Sequence, residues 1–275
     1  MSIQLGTVAA IGFADFTPRT WLECYRRLGC TVVQAYRNQG AQISIQQMRA
    51  ALAEGGMPCD SLHGVFGEQY DPSCPEENAR RYAVDSYKSE GDLVQLLGGS
   101  LVVVHCSTIR RDGISAEERA MRLGQLKKSI AELGTFGQSI GVRYAFENLP
   151  AYHPIGSDVD ELVRILEEVD APNTGLCFDT GHAHMIGNVA DAVRQTRGRM
   201  IYLHYSDNSG AGDEHEMPTY GTIDSAALAR AVHDVNYSGT MMLEVFYSED
   251  RLNKVIEEGC GPRLAQVISL ANGVK

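Results

Sequence analysis

Eight short apolar runs recur from one end of the chain to the other, and longer amphipathic stretches separate them. Read by period and β-branched content, the runs place strands near residues 4–11, 31–36, 59–65, 101–106, 142–147, 175–179, 200–205 and 241–246. LVVVHC, MIYLHY and MMLEVF are nearly continuous in apolar residues, as strands covered on both faces must be. Helical periodicity fills segments such as 75–97, 115–133 and 158–169. Start signals stand before two of them, Ser115-Ala116-Glu117-Glu118 and Ser157-Asp158-Val159-Asp160. Eight strand–helix units in succession, with no linker or low-complexity break, predict a single-domain (β/α)8 TIM barrel over residues 1–275. A doubly wound open sheet usually has fewer strands and a Gly-rich phosphate turn after the first, and no GxGxxG follows strand one here.

The length of 275 residues suits one such barrel and buries a large core without disulfides. The seven cysteines (24, 30, 59, 74, 106, 177 and 260) are odd in number and scattered, with no CxxC pair. That is the pattern of reduced thiols in a cytoplasmic protein. The opening residues lack a basic region and read as a buried strand, not a signal peptide. No apolar stretch approaches the roughly 18 residues that span a bilayer. A net charge of −11 argues against nucleic acid as a partner, because phosphate contacts need clustered Lys and Arg.

The polar residues fall at one place in each unit. His63 ends the third strand, His105 the fourth, Glu147 the fifth, Asp179 the sixth, His204 the seventh and Glu244 the eighth. His182, Asp213 and His215 follow in adjoining loops. Each alone has an ordinary explanation: a strand-end His bonds a loop, and Asp179 before Thr180-Gly181-His182 can cap a helix. Six consecutive strand ends offering only His, Glu or Asp are harder to explain so, because barrel active sites sit on that face. Two glutamates and an aspartate at one mouth repel one another unless a cation joins them. The mixed N/O donors suit Mn2+ or Zn2+, with Mg2+ and Co2+ as further options.

The motifs Ala145-Phe146-Glu147-Asn148, Gly175-Leu176-Cys177-Phe178-Asp179-Thr180-Gly181-His182-Ala183, Leu203-His204-Tyr205-Ser206-Asp207-Asn208 and Leu243-Glu244 resemble those of the xylose isomerase-like TIM barrel superfamily. That superfamily includes sugar and sugar-phosphate isomerases and epimerases, inosose-processing enzymes and an endonuclease IV-like branch. The resemblance runs from about residue 4 to 246. In the isomerase and epimerase branch it implies one divalent metal on Glu147, Asp179, His204 and Glu244, with Glu147 and Glu244 also acting as acid and base. The substrate it implies is a small polyhydroxylated carbonyl compound, whose enediolate the metal stabilises while one glutamate removes a proton and the other returns one. Return at the same carbon epimerises; return at the adjacent carbon isomerises. In the endonuclease IV-like branch nine residues hold three zincs, and His63, His105, Glu147, Asp179, His182, His204, Asp213, His215 and Glu244 fill all nine positions. A second metal, or substrate binding, is therefore the expected role of His63, His105, His182, Asp213 and His215. A dehydratase or lyase on the same scaffold is the remaining alternative. Many members of the superfamily form dimers or tetramers, so a homo-oligomer is in scope.

Two departures narrow the field. Ketose 3-epimerases carry an arginine after strand seven, whereas residues 206–221 contain no Lys or Arg. The endonuclease branch inserts bulky groups into DNA after its first metal histidine, where this chain has His63-Gly64-Val65-Phe66-Gly67-Glu68, with an acid and no cation. Arg37 and the pair Arg110-Arg111 fall on loops expected at the mouth and have the forked geometry for phosphate or carboxylate, although solvent surface is the commoner fate of such residues. Trp21, in an apolar stripe with Leu22 and Tyr25, is expected in the core. Of Tyr202 and Tyr205, which flank His204, one is expected to line the pocket and the other to pack.

Overall fold

The computed structural model describes residues 2–111 and 113–274. Eight parallel strands close into a barrel in chain order. They are β1 (Gln4–Ile11), β2 (Val32–Arg37), β3 (Cys59–His63), β4 (Leu101–His105), β5 (Arg143–Glu147), β6 (Thr174–Asp179), β7 (Met200–Tyr205) and β8 (Thr240–Leu243). Between and after them run α1 (Pro18–Arg27), α2 (Ile45–Gly55), α3 (Glu77–Leu97), α4 (Ala116–Ile140), α5 (Val159–Val169), α6 (Thr180–His184), α7 (Val189–Gln195), α8 (Ser225–Asp234), α9 (Glu249–Glu257) and α10 (Cys260–Ala271). Among the described residues no helix is long and apolar enough to cross a membrane.

Strand side chains alternate between two cores. Inside the barrel, Val32, Leu101, Val103, Ala145, Cys177, Tyr202 and Met242 pack together. The opposite faces, with residues such as Val104, Phe146, Phe178, Leu203 and Leu243, join the larger core beneath the helices. This period of two aims the site. Two positions beyond the inner residues Val103, Ala145, Cys177, Tyr202 and Met242 stand His105, Glu147, Asp179, His204 and Glu244. Register keeps them level, with His105 opposite Glu147 and Asp179 opposite His204. Trp21 is buried as expected, its Nε1–H donating to the Tyr247 carbonyl at 3.0 Å.

Three expectations at element boundaries are corrected. Strand eight was expected to reach residue 246 but ends at Leu243. There α1 takes over the ladder's role, Tyr25 Oη donating to the Val245 carbonyl at 2.7 Å. The fourth helix was expected to stop at 133 but continues to Ile140. Gly137, which reads as a breaker, is needed there because a Cβ would lie 2.4 Å from the Val142 carbonyl. The cap of α5 is Asp158, which accepts from the Glu161 amide at 3.2 Å.

Candidate metal centre

Glu147, Asp179, His204 and Glu244 project into the barrel mouth with one ligand atom from each lying within 4.8 Å of the others, and all four are buried. His204 Nδ1 is the hub. It donates to Glu147 Oε1 at 2.9 Å, lies 3.0 Å from Glu244 Oε2 and is 3.9 Å from Asp179 Oδ2. Glu147 Oε2, Asp179 Oδ2 and Glu244 Oε2 are buried without a hydrogen-bond partner. Leaving three such oxygens unpaired costs several kcal/mol. A divalent cation fits this donor set, which offers three hard carboxylates and one imidazole.

The charges respond to this crowding. Burial opposes ionisation of Glu147 and Glu244, but His204 overrides it, holding Glu147 well below the usual range and Glu244 down at about 2. Asp179 goes the other way, since burial outweighs His182 and pushes it up to about 7. His204 is raised well above an ordinary imidazole, the surrounding Cys177, Glu244 and Glu147 overcoming its burial.

Asp179 caps α6 as well as facing the site: Oδ1 accepts from the His182 amide at 2.7 Å. Asn148, fully buried, clamps the same carboxylate's backbone, accepting from the Asp179 amide at 2.8 Å and donating to its carbonyl at 3.0 Å.

Around this centre the histidines share a device. Nδ1 of His63, His182 and His215 donates to the carbonyls of Gly64, Asn148 and Glu244 at 3.0, 2.8 and 2.9 Å. Each ring is thereby fixed with Nε2 toward the mouth, the arrangement that orients metal-binding imidazoles. His63 Nε2 is 3.8 Å from Glu147 Oε2 and His105 Nε2 is 3.4 Å from the same atom. These three residues form a second candidate cluster. Asp213 bridges His182 and His215, with both Nε2 atoms 3.4 Å from its carboxylate. Burial, with His105 adding to it, pulls His63 down to about 4, whereas Asp213 lifts His215 against burial to about 9. All nine residues singled out in the sequence thus come to one mouth.

The loop bearing Asp213 and His215 is tied down by Asp207. Its Oδ1 accepts from the amides of Asn208 at 2.9 Å and Ile223 at 3.1 Å, and Oδ2 accepts from Thr219 at 3.1 Å. A two-stranded bridge from Asp207 to Glu216, two bonds of 2.8 Å, closes the tip, and a Cβ at Gly221 would sit 2.3 Å from Asp207 Oδ1. Across the mouth, Tyr36 lies 4.8 Å from His63, Phe66 stacks on His105 at 5.3 Å and Phe246 meets His215 at 5.6 Å, centroid to centroid.

Two of the three arginines that the sequence places near the mouth are committed to carboxylates elsewhere, and sequence reasoning passed over one histidine. Arg37 turns away from the mouth and pairs with buried Glu90 on α3 at 2.6 Å, and Arg111 pairs with Glu118. The reason for Arg37 is parity, since Tyr36 holds the inward position. Tyr202 lies inside the barrel below His204, its hydroxyl on Asp60 at 3.0 Å, while Tyr205 packs outward. His153, passed over because it follows strand five in an irregular stretch, is 3 % exposed with Nδ1 unpartnered. All seven cysteines are unpaired thiols.

The fold and this mouth place the chain in a class that sequence comparison identifies. Residues 22–263 match the model of the xylose isomerase-like TIM barrel family, and the chain belongs to that family. An inosose isomerase of Bacillus velezensis is 23% identical over 185 residues, 63% of this chain and 63% of that protein. A D-psicose 3-epimerase of Ruminiclostridium cellulolyticum is 24% identical over 217 residues, covering 75% and 69% respectively. The chain thus spans just under two thirds of the inosose isomerase's length. Among solved structures, an L-ribulose 3-epimerase superposes with a TM-score of 0.78 at 17% identity, over 98% of this chain and 96% of that one.

Proposed function

We propose that this chain is a divalent-metal-dependent isomerase or epimerase of small polyhydroxylated carbonyl compounds, acting as one domain over residues 1–275. The observation that carries the reading is the buried quartet Glu147, Asp179, His204 and Glu244, with three carboxylate oxygens left unpartnered. Relatives named as sugar epimerases and inosose isomerases support it. These four residues would hold Mn2+ or Zn2+, with Mg2+ or Co2+ as substitutes. When bound, such a cation supplies positive charge beside the carbonyl oxygen that becomes more negative as the neighbouring C–H loses its proton. Glu147 ends β5 and Glu244 directly follows β8, on separate sides of the mouth; one removes that proton and the other delivers one. His63, His105 and His182 bind substrate hydroxyls, and the aromatic rim excludes water. The test is incubation of the metal-loaded protein with ketoses and inososes in D2O: deuterium entering the substrate's C–H supports the reading, and none entering any of them overturns it.

Metal loading should displace a proton. The nitrogen that would bind the cation is the one that donates to Glu147, and its pKa is raised. The proton competes more strongly as pH falls, so affinity should fall with it. Calorimetric titrations in buffers of different ionisation enthalpy should give different heats; equal heats would contradict proton release.

The second cluster, His63, His105 and Glu147, favours a second reading as a multinuclear zinc phosphodiesterase. It predicts three zinc equivalents after loading. Elemental analysis that saturates at one equivalent removes it.

A further inference from the structure

Of the loops that follow the eight strands, only the one after β4 contains Lys or Arg, namely Arg110 and Arg111. Arg111 is committed to Glu118. Arg110 has no carboxylate partner among the described residues, and its guanidinium carbon lies 5.3 Å from the centroid of Tyr152, on the loop after β5. The ring face restrains the guanidinium plane while leaving its N–H groups uncommitted. Tyr152 lies 5.0 Å, ring to ring, from His153. His153 is buried, yet Nδ1 meets no donor or acceptor. Burial, then His105, Arg110 and His182, hold this imidazole down at about 4, so it is neutral near pH 7. A neutral imidazole with its proton on Nε2 presents Nδ1 as an acceptor. Burying such an acceptor unpaired is unfavourable, and a ligand hydroxyl satisfies it.

We infer that the β4 and β5 loops form an anion subsite, in which Arg110 takes a carboxylate or phosphate on the substrate and His153 Nδ1 accepts from an adjacent hydroxyl. The inference rests on the isomerase or epimerase reading for where the rest of the substrate lies, and it narrows the substrate to a polyhydroxylated carbonyl compound with a negative charge. Electrostatics favours this assignment. The chain carries −11 and the mouth is rich in carboxylates, so an anionic substrate needs one dedicated cation for register, and Arg110 is the cation in those loops without a carboxylate partner among the described residues.

The test uses the metal-loaded protein and three matched probes: a ketohexose, its 6-phosphate and the corresponding hexuronate. Equilibrium binding is measured by calorimetry for the native protein, Arg110→Ala and Arg110→Lys, with solvent-deuterium exchange followed in parallel. The expected result is that one anionic probe binds about tenfold or more tighter than the neutral sugar. That preference collapses in Arg110→Ala and partly returns in Arg110→Lys. Preference for the phosphate alone names a sugar phosphate, and preference for the uronate alone names a sugar acid. Neutral sugar binding as well as both anions, or a preference untouched by Arg110→Ala, overturns the anion subsite. An Arg110-dependent preference without deuterium exchange would leave the subsite standing and overturn the proton-transfer reading.

Discussion

Glu147→Gln and Glu244→Gln should each lower turnover by about 10²–10⁴-fold, the usual cost of removing a proton-transferring group. Gln keeps the volume and one oxygen donor but cannot take up a proton near neutral pH. Both side chains are buried, and each lies about 3 Å from the His204 imidazole, so the amide has room and a partner in the same place. Metal content should therefore survive in large part while deuterium exchange into the substrate fails. The measurement that separates chemistry from binding is exchange rate against metal occupancy on the same sample. Wild-type exchange in both variants with metal bound would remove the two-base mechanism. Loss of metal in step with loss of rate would reduce the glutamates to ligands.

Phe146→Ala should destabilise the protein by about 3–5 kcal/mol, the range for deleting a buried aromatic ring. Phe146 is completely buried in the outer core, one residue before Glu147 on β5. Its ring and the Glu147 carboxylate point to opposite faces of the same strand, so the deletion leaves a cavity behind the sheet with no contact to the mouth. Urea unfolding monitored by circular dichroism should show the midpoint move with little change in slope. A loss below 1 kcal/mol would mean that the strand's inside and outside are wrongly assigned.

Much of the barrel was legible because strand covering is a local property. Runs such as LVVVHC betray a strand buried on both faces, and a period of two then says which residues point inward. Glu147, Asp179, His204 and Glu244 could be picked out for the same reason: each is the first charged or titratable side chain after an apolar run. What failed was governed by distance in sequence. Arg37 looked like a mouth residue until Glu90, 53 positions away, appeared beside it. The early end of strand eight depends on Tyr25, 220 residues back. Gly137 resembles a helix breaker in sequence and is a packing requirement in space. His153 gave no signal, because an irregular loop has no period from which to infer direction.

Asp207 draws the residues flanking the β7 loop tip onto one carboxylate, at 208, 219 and 223. The segment from Ser209 to His215 hangs between those ties, touches the barrel through His215 on the Glu244 carbonyl and Asp213 on His182, and makes no part of the barrel ladder. The tip is in effect an exchangeable cassette. A lineage could lengthen it, shorten it or trade Asp213 and His215 for other groups while the eight strands kept their register. Drift toward a new substrate would then be fastest in those seven residues, and slowest at the aspartate that lets them vary.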